Sequence, residues 1–153
     1  MDFLGAAEPR LTLYLPHRPN GLARLVTAPD SQQLMAANSN HWRKIVTLLA
    51  KITSPGADDW RRFRDERLFT QTALCFAPAL SDSPGWHWIG GGENLARFTA
   101  LDHRARPLSA CPSVAIDPAK RLLLTPYPDY RQLSNSVVSH IRAALEPYGF
   151  YRC

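Results

Sequence analysis

The stretch from Thr125 to Asn135 holds the densest group of side chains that could recognise a ligand. It reads Thr-Pro-Tyr-Pro-Asp-Tyr-Arg-Gln-Leu-Ser-Asn and lies between an apolar run and an amphipathic stretch. Aromatic rings supply contact area, while carboxylate, guanidinium and amide groups form directional hydrogen bonds. In the structural alternative, Asp129 and Ser134 cap the next helix and the tyrosines pack over the sheet edge. We favour a ligand-binding loop, with contributions from Tyr127, Asp129, Tyr130, Arg131 and Gln132.

A second polar loop, Leu15-Pro-His-Arg-Pro19, follows the first apolar run of the chain. The loop contains the polar residues His17 and Arg18, and Asn20 follows it directly. Loops that leave parallel strands at their carboxyl ends meet at one edge of the sheet, where ligands bind. We therefore expect these three residues to line one cleft with the loop that follows Thr125.

Three consecutive glycines, Gly90 to Gly92, separate a predicted strand from a predicted helix. The backbone N–H groups of such a turn can hold a phosphate. No Lys-Ser or Lys-Thr pair follows, and the fuller dinucleotide-binding pattern is absent. A tight turn is therefore the favoured interpretation, with a phosphate site as the alternative.

The residues that commonly bind metals are scattered along the chain. Of the five histidines, only His103 adjoins an acidic residue, and neighbouring residues do not converge easily on one ion. The three cysteines are an odd number without a short spacing, which argues against a disulfide framework. The nucleophile-elbow motif of serine hydrolases is also absent. We predict a protein that needs no metal and no organic cofactor.

The charge balance permits a polyanionic partner without requiring one. Lys and Arg number 18 against 13 Asp and Glu, so the formal net charge is +5. Each cation that contacts a phosphate releases counterions and strengthens binding to nucleic acid. The first ten residues lack the pattern of a signal peptide, and no apolar run approaches the ~18 residues of a membrane span. We expect a cytoplasmic protein that makes no contact with a membrane.

Short apolar runs and helical spacing predict alternating strands and helices. Predicted strands lie at Leu11–Leu15, Thr72–Ala77, Trp86–Ile89 and Arg121–Thr125, with a further short strand at Val114–Ile116. Predicted helices run from Asn40 to Ile52, from Asp58 or Asp59 to Arg67, from Glu93 to Leu101, and from Ser134 or Asn135 to the residue before Pro147. Residues 16–38 form a long connection with a weak helical pattern from Ser31 to Ala37.

This alternation predicts a single α/β domain over residues 1–153. The apolar runs are continuous, which is typical of strands that are buried on both faces. The expected architecture has three layers: a mainly parallel sheet with helices on both faces.

Several segments together resemble the uracil-DNA glycosylase superfamily, in particular its mismatch-specific uracil/thymine branch. In chain order they are the strand and Pro-containing loop from Leu11 to Gly21, the Asn-aromatic-Trp-basic helix start at Asn38–Lys44, the strand and Gly turn at Trp88–Asn94, and the strand and Leu-Ser loop at Arg121–Asn135. The resemblance covers roughly residues 10 to 147 and implies a glycosylase-like α/β fold. In the family, the last loop probes the minor groove of DNA.

The chain departs from the family where the chemistry takes place. The family's first loop carries an Asn or Asp that positions water or stabilises the departing base, whereas Arg18 precedes Pro19 here and cannot act as a base. Asp129, Tyr130, Arg131 and Gln132 replace small residues in the last loop. We therefore predict a non-catalytic binder of nucleic acid or a nucleotide-like ligand. The alternatives are a base-excising glycosylase with displaced catalytic residues, such as Asp129 or Asn20, and a module that binds a protein partner.

Overall fold

The computed structural model describes residues 2–152, which form one seven-stranded sheet with seven short to medium helices. The strands are β1 (Phe3–Gly5), β2 (Leu11–Tyr14), β3 (Thr72–Cys75), β4 (Trp86–Gly90), β5 (Arg106–Pro107), β6 (Ala115–Asp117) and β7 (Leu122–Thr125). The helices are α1 (Leu22–Thr27), α2 (Ser31–Ala37), α3 (Asn40–Thr53), α4 (Trp60–Glu66), α5 (Leu68–Gln71), α6 (Gly92–Ala96) and α7 (Asn135–Leu145). Single 3₁₀ turns lie at Ala57–Asp59 and Glu146–Tyr148.

The sheet is mixed, with the strand order β1-β3-β2-β4-β7-β6-β5. β3, β2, β4 and β7 form a parallel centre, while β1 and the pair β5 and β6 run antiparallel at the two edges. The α/β class is therefore confirmed, and the four predicted core strands form the parallel centre. A mainly parallel sheet is not confirmed, because the sheet as a whole is mixed. The edge strands were missed because β1 and β5 have three and two residues, too few for a periodic pattern to emerge.

The strands of the parallel centre are buried on both faces. Leu13, Trp88 and Leu123 point into the larger core cluster, whereas Tyr14 and Ile89 belong to a smaller cluster on the other face. Successive side chains of a strand point to opposite faces, so two apolar faces require an uninterrupted apolar run. This is why the four central strands were identifiable from sequence alone.

Helix α3 packs in the larger core and is held at its end by α7. Its buried side chains include Trp42, Ile45 and Ile52. The Arg142 guanidinium of α7 donates hydrogen bonds to the carbonyl oxygens of Lys51, Ile52 and Ser54 at 2.9–3.2 Å. The last carbonyls of a helix lack partners within it and carry partial negative charge, so a cation there stabilises the α3 terminus.

Three helices differ from the sequence prediction. Helix α5, from Leu68 to Gln71, was not predicted. α1 forms within the predicted long connection and buries Leu22 and Leu25, but its six residues are too few to show a periodic pattern. α6 ends at Ala96, five residues before the predicted Leu101. In the part of the chain that the structure describes, none of the helices has the length and apolar character needed to span a membrane.

Candidate functional site

Three aromatic side chains from distant parts of the chain meet at the carboxyl end of the parallel centre. Nε2 of His41 lies 2.9 Å from the Tyr127 hydroxyl, and Nε2 of His17 lies 3.3 Å from the same oxygen. The His41 and Tyr127 ring planes differ by 6°, and their centroids are 5.5 Å apart. The His17 ring is tilted by 28° to His41 and by 22° to Tyr127. We call His17, His41 and Tyr127 the ring cluster.

Each residue of the ring cluster is held in place by its own element. His17 follows β2 and Pro16, and its ring packs edge-on to Trp42 with centroids 5.3 Å apart. His41 is the second residue of α3. Tyr127 follows β7 and stands between two prolines, whose fixed φ angles restrict the loop. The ring cluster therefore stands on rigid supports.

Burial opposes charge on two members of the ring cluster, Tyr127 and His17. Burial raises the pKa of Tyr127 to about 12, with a smaller contribution from the nearby Asp129 carboxylate. Burial also lowers the pKa of His17, and the neighbouring His41 lowers it further. A neutral phenol has one O–H donor and two lone pairs, so Tyr127 can donate to one histidine and accept from the other.

The glycines after β4 allow the Tyr127 loop to approach the sheet. A Cβ on Gly90 would lie 2.8 Å from Cδ of Pro128, closer than such atoms approach one another. Gly91 has a φ of 98°, and a Cβ there would lie 3.4 Å from the Tyr127 ring. Close approach of the loop therefore explains Gly90 and the positive φ explains Gly91, in line with the tight-turn interpretation, whereas a Cβ on Gly92 would meet no atom within 4 Å.

A pocket of about 410 Å³ opens beside Tyr127. Its lining comes from the loops after β2 and β7 and from the turn and first residues of α6 after β4: Pro16, Gly91, Gly92, Glu93, Asn94, Pro126, Tyr127 and Gln132. The buried Asn94 amide donates to the Tyr14 carbonyl at 2.8 Å, and its oxygen accepts from Arg97 at 2.9 Å. Asn94 thus ties the lining to β2, whereas the side chains of Glu93 and Gln132 are exposed.

The sequence-predicted residues lie in different places around this edge. His17, Tyr127 and Gln132 lie at the ring cluster or the pocket. Arg18 forms an ion pair with Asp2, and its guanidinium carbon lies 5.9 Å from the centroid of the Phe76 ring. The side chain of Arg18 therefore points toward the β1 edge of the sheet.

The Asn20 backbone forms two hydrogen bonds with the side chain of Asn38. Its backbone N–H donates to Oδ1 of Asn38 at 2.7 Å, and the Asn38 amide donates back to the Asn20 carbonyl at 3.2 Å. This pair joins the start of α1 to the end of α2.

The Asp129 carboxylate forms hydrogen bonds within its own loop. Its Oδ1 accepts from the backbone N–H groups of Arg131 and Gln132 at 2.8 and 3.0 Å, and the Arg131 side chain is exposed. The Tyr130 ring packs against the outer side of α3, next to the ammonium groups of Lys44 and Lys51. Of the two caps in the structural alternative, Ser134 does cap α7 by accepting from the Val137 N–H. Asp129 stabilises the turn before that helix.

Sequence reasoning missed His41 and Glu93. His41 adjoins Trp42 in the helix start that carried the family resemblance, and that position was the available signal. Within residues 2–152, no group of three or more His, Cys, Asp and Glu side chains is arranged to hold a metal ion.

The chain belongs to a family of unknown function, DUF6942, whose model matches residues 2–146. The ring cluster and the pocket lie entirely inside the matched range. No curated protein and no solved structure shows a significant match to the chain.

Proposed function

We propose that this member of DUF6942 is a non-catalytic binder of a nucleic acid or nucleotide-like ligand, whose base enters the pocket beside Tyr127. The ring cluster is the observation that carries the proposal. It places nearly parallel rings at the strand ends, where open α/β sheets bind ligands. We also propose that the protein is distantly related to the uracil-DNA glycosylase superfamily and that its sheet and helices form three layers.

The pocket suits a flat heterocycle in size and chemistry. Its volume of about 410 Å³ is in the range of small-molecule sites. A base that stacks on an aromatic side chain gains ~1–3 kcal/mol. The Glu93 carboxylate can accept from an exocyclic amine, and the Gln132 amide can both donate and accept. Together, these groups can distinguish the polar edge of one base from another.

The placement of the charged residues favours binding without base excision. The Asp129 carboxylate is occupied by two backbone N–H groups, and Arg18 is paired with Asp2. Neither Asp129 nor Arg18 is therefore placed to do what the Asn or Asp of the family's first loop does. Tyr127, with a pKa of about 12, is also a weak general base near neutral pH.

Tyr127→Phe and Tyr127→Ala test the proposal. The assay is calorimetric titration with uracil and the nucleoside monophosphates at low salt. Removal of the hydroxyl leaves both histidines without their shared partner, so Tyr127→Phe should weaken binding by about 0.5–1.5 kcal/mol. Loss of the whole ring in Tyr127→Ala should cost about 1–3 kcal/mol.

Tyr148 offers the matched control. It is 51% exposed and lies beside Trp86, at the opposite end of β4 from the pocket. Tyr148→Phe and Tyr148→Ala should bind like the unaltered protein. If the unaltered protein bound none of these compounds and no oligonucleotide at low salt, the proposal would fail and a protein partner would be favoured.

A further inference from the structure

A row of basic and aromatic side chains leads away from the ring cluster along α3. It comprises Lys44, Lys51, Trp60, Arg61 and Tyr130, which we call the basic ridge. His41, Lys44 and Lys51 are three and seven residues apart, so they share one side of the helix. At 1.5 Å per residue, the stripe from His41 to Lys51 is ~15 Å long, the length of a few nucleotides of single strand.

The cations and rings of the basic ridge interleave. Nζ of Lys44 lies 5.8 Å from the centroid of the Tyr130 ring, and Nζ of Lys51 lies 5.7 Å from the same centroid. Lys51 also lies 5.0 Å from the Trp60 ring, over which the Arg61 guanidinium lies at 4.4 Å. The Tyr130 ring thus contacts both Lys44, near the ring cluster, and Lys51, at the far end of α3.

The charge of the basic ridge is largely uncompensated. Over residues 2–152, no carboxylate forms an ion pair with Lys44, Lys51 or Arg61. The nearest acids along the chain are Asp59, next to Trp60, and Asp129, next to Tyr130, whose carboxylate accepts from backbone N–H groups of its own loop. Lys51 donates to Oδ1 of Asn135 at 3.2 Å, which fixes the ammonium group beside the two rings.

The rings are accessible to a ligand. Tyr130 is 45% exposed, an unusual exposure for a large ring in this molecule. Trp60 is partly exposed, whereas Trp42, Trp86 and Trp88 are buried. Exposed rings next to unpaired cations match what single-stranded nucleic acid requires: stacking faces for the bases and positive charge for the backbone.

We propose that the basic ridge binds the sugar-phosphate backbone and flanking bases of a single-stranded nucleic acid, one base of which occupies the Tyr127 pocket. This inference rests on the proposed function, because it extends the ligand of the pocket to a strand of several nucleotides. A double helix is the less suitable form, since stacking on Tyr130 and Trp60 requires unpaired bases.

The test compares thymidine monophosphate with oligothymidylates of about 4 to 16 nucleotides, the range of single-strand sites. The variants are Lys44→Gln, the double variant Lys44→Gln with Lys51→Gln, and Tyr130→Ala. Lys120→Gln is the matched control, because Lys120 lies in the turn between β6 and β7, away from α3. Thermal unfolding of every variant verifies the fold. The single variant Lys44→Gln keeps the contact between Lys51 and Trp60, which the double variant removes.

We expect the longer oligomers to bind more tightly than the monophosphate. The double variant should reduce the salt dependence of oligomer binding by about 1.4 in the log–log slope, at ~0.7 per cation. Tyr130→Ala should weaken oligomer binding roughly tenfold. Monophosphate binding should stay unchanged in all three variants, and Lys120→Gln should behave like the unaltered protein.

The outcomes separate the two proposals. Unchanged oligomer binding in the ridge variants would overturn the basic ridge and leave the pocket intact. Ridge-dependent oligomer binding that persists in Tyr127→Ala, with no binding of the monophosphate, would support the ridge and overturn the pocket. Competition by polyglutamate as effective as that by oligothymidylate would overturn the ridge in favour of an acidic protein partner.

Discussion

At the scale of single residues, the ring cluster is joined by one hydroxyl, that of Tyr127, which links His17 and His41. Burial opposes charge on Tyr127 and on His17. On the proposal made above, the ring cluster would recognise its ligand by shape and hydrogen bonding and not by attraction between opposite charges. It should therefore respond to pH in a direction that follows from its pKa shifts.

Acidification should destabilise the fold through His17. Its pKa is lowered in the folded protein, so below about pH 6.5 the unfolded chain binds a proton that the folded chain does not. Unfolding free energy is thus lost as the pH falls through about 6.5, until the pH reaches the folded-state pKa. The buried His87, whose pKa burial also lowers, acts in the same direction.

Denaturant unfolding between about pH 7.5 and about pH 5.5 measures this effect. His17→Gln should lose less stability over that interval than the unaltered protein. His140→Gln, at a partly exposed position of α7, is the control and should follow the unaltered protein. An equal loss in His17→Gln and the unaltered protein would show that His17 is not the source.

At the scale of elements, the packing of the β7 loop against the end of β4 determines where Tyr127 stands. Gly90 closes β4 and touches Pro128, while Gly91 passes under the Tyr127 ring with a positive φ. A side chain at either position would push the loop away from the sheet. The pocket thus depends on a contact between two backbone segments.

Gly90→Ala should destabilise the fold by about 1–3 kcal/mol, because the new methyl group would overlap Cδ of Pro128. It should also weaken ligand binding, since Tyr127 shifts with the loop. The matched control is Gly56→Ala, because the nearest contact of a Cβ there would be Cβ of Asp59 at 3.9 Å and Gly56 does not line the pocket. Denaturant unfolding and ligand titration of both variants check the expectation, and equal effects in the two would contradict it.

At the scale of the whole molecule, charge and topology place two surfaces side by side. The formal net charge is +5, and the basic ridge lies on the helix that begins at the ring cluster. On the proposal made above, this arrangement should make the binding of nucleic acid sensitive to salt.

The same arrangement leads us to expect no base excision. Uracil-containing oligonucleotides, single-stranded or mismatched, would be incubated with the protein and then treated with alkali to cleave abasic sites. Arg18 stands where the family places an Asn or Asp, and such a group typically contributes ~10²- to 10⁴-fold, so its replacement should abolish detectable cleavage. Strand breaks that disappear in Asp129→Ala or Arg18→Ala would contradict this expectation and favour a glycosylase with displaced residues.

The local pattern of the chain determined its class and its central elements. Continuous apolar runs specified β2, β3, β4 and β7, and helical spacing specified α3 and α7, because burial on one or two faces is written in neighbouring residues. The polar loops after β2 and β7 were also identifiable, since strand ends have turn residues. His17, Tyr127 and Gln132 followed from that reasoning.

The tertiary structure decided which side chains meet. His41 and Tyr127 are 86 residues apart, and His17 and Tyr127 are 110 apart, so no local pattern links them. Strand order brings their loops together, while Arg18, next to His17 in sequence, turns toward Asp2 instead. The antiparallel edges were likewise settled by pairing, because β1 and β5 are too short to form without a neighbour that supplies their hydrogen bonds.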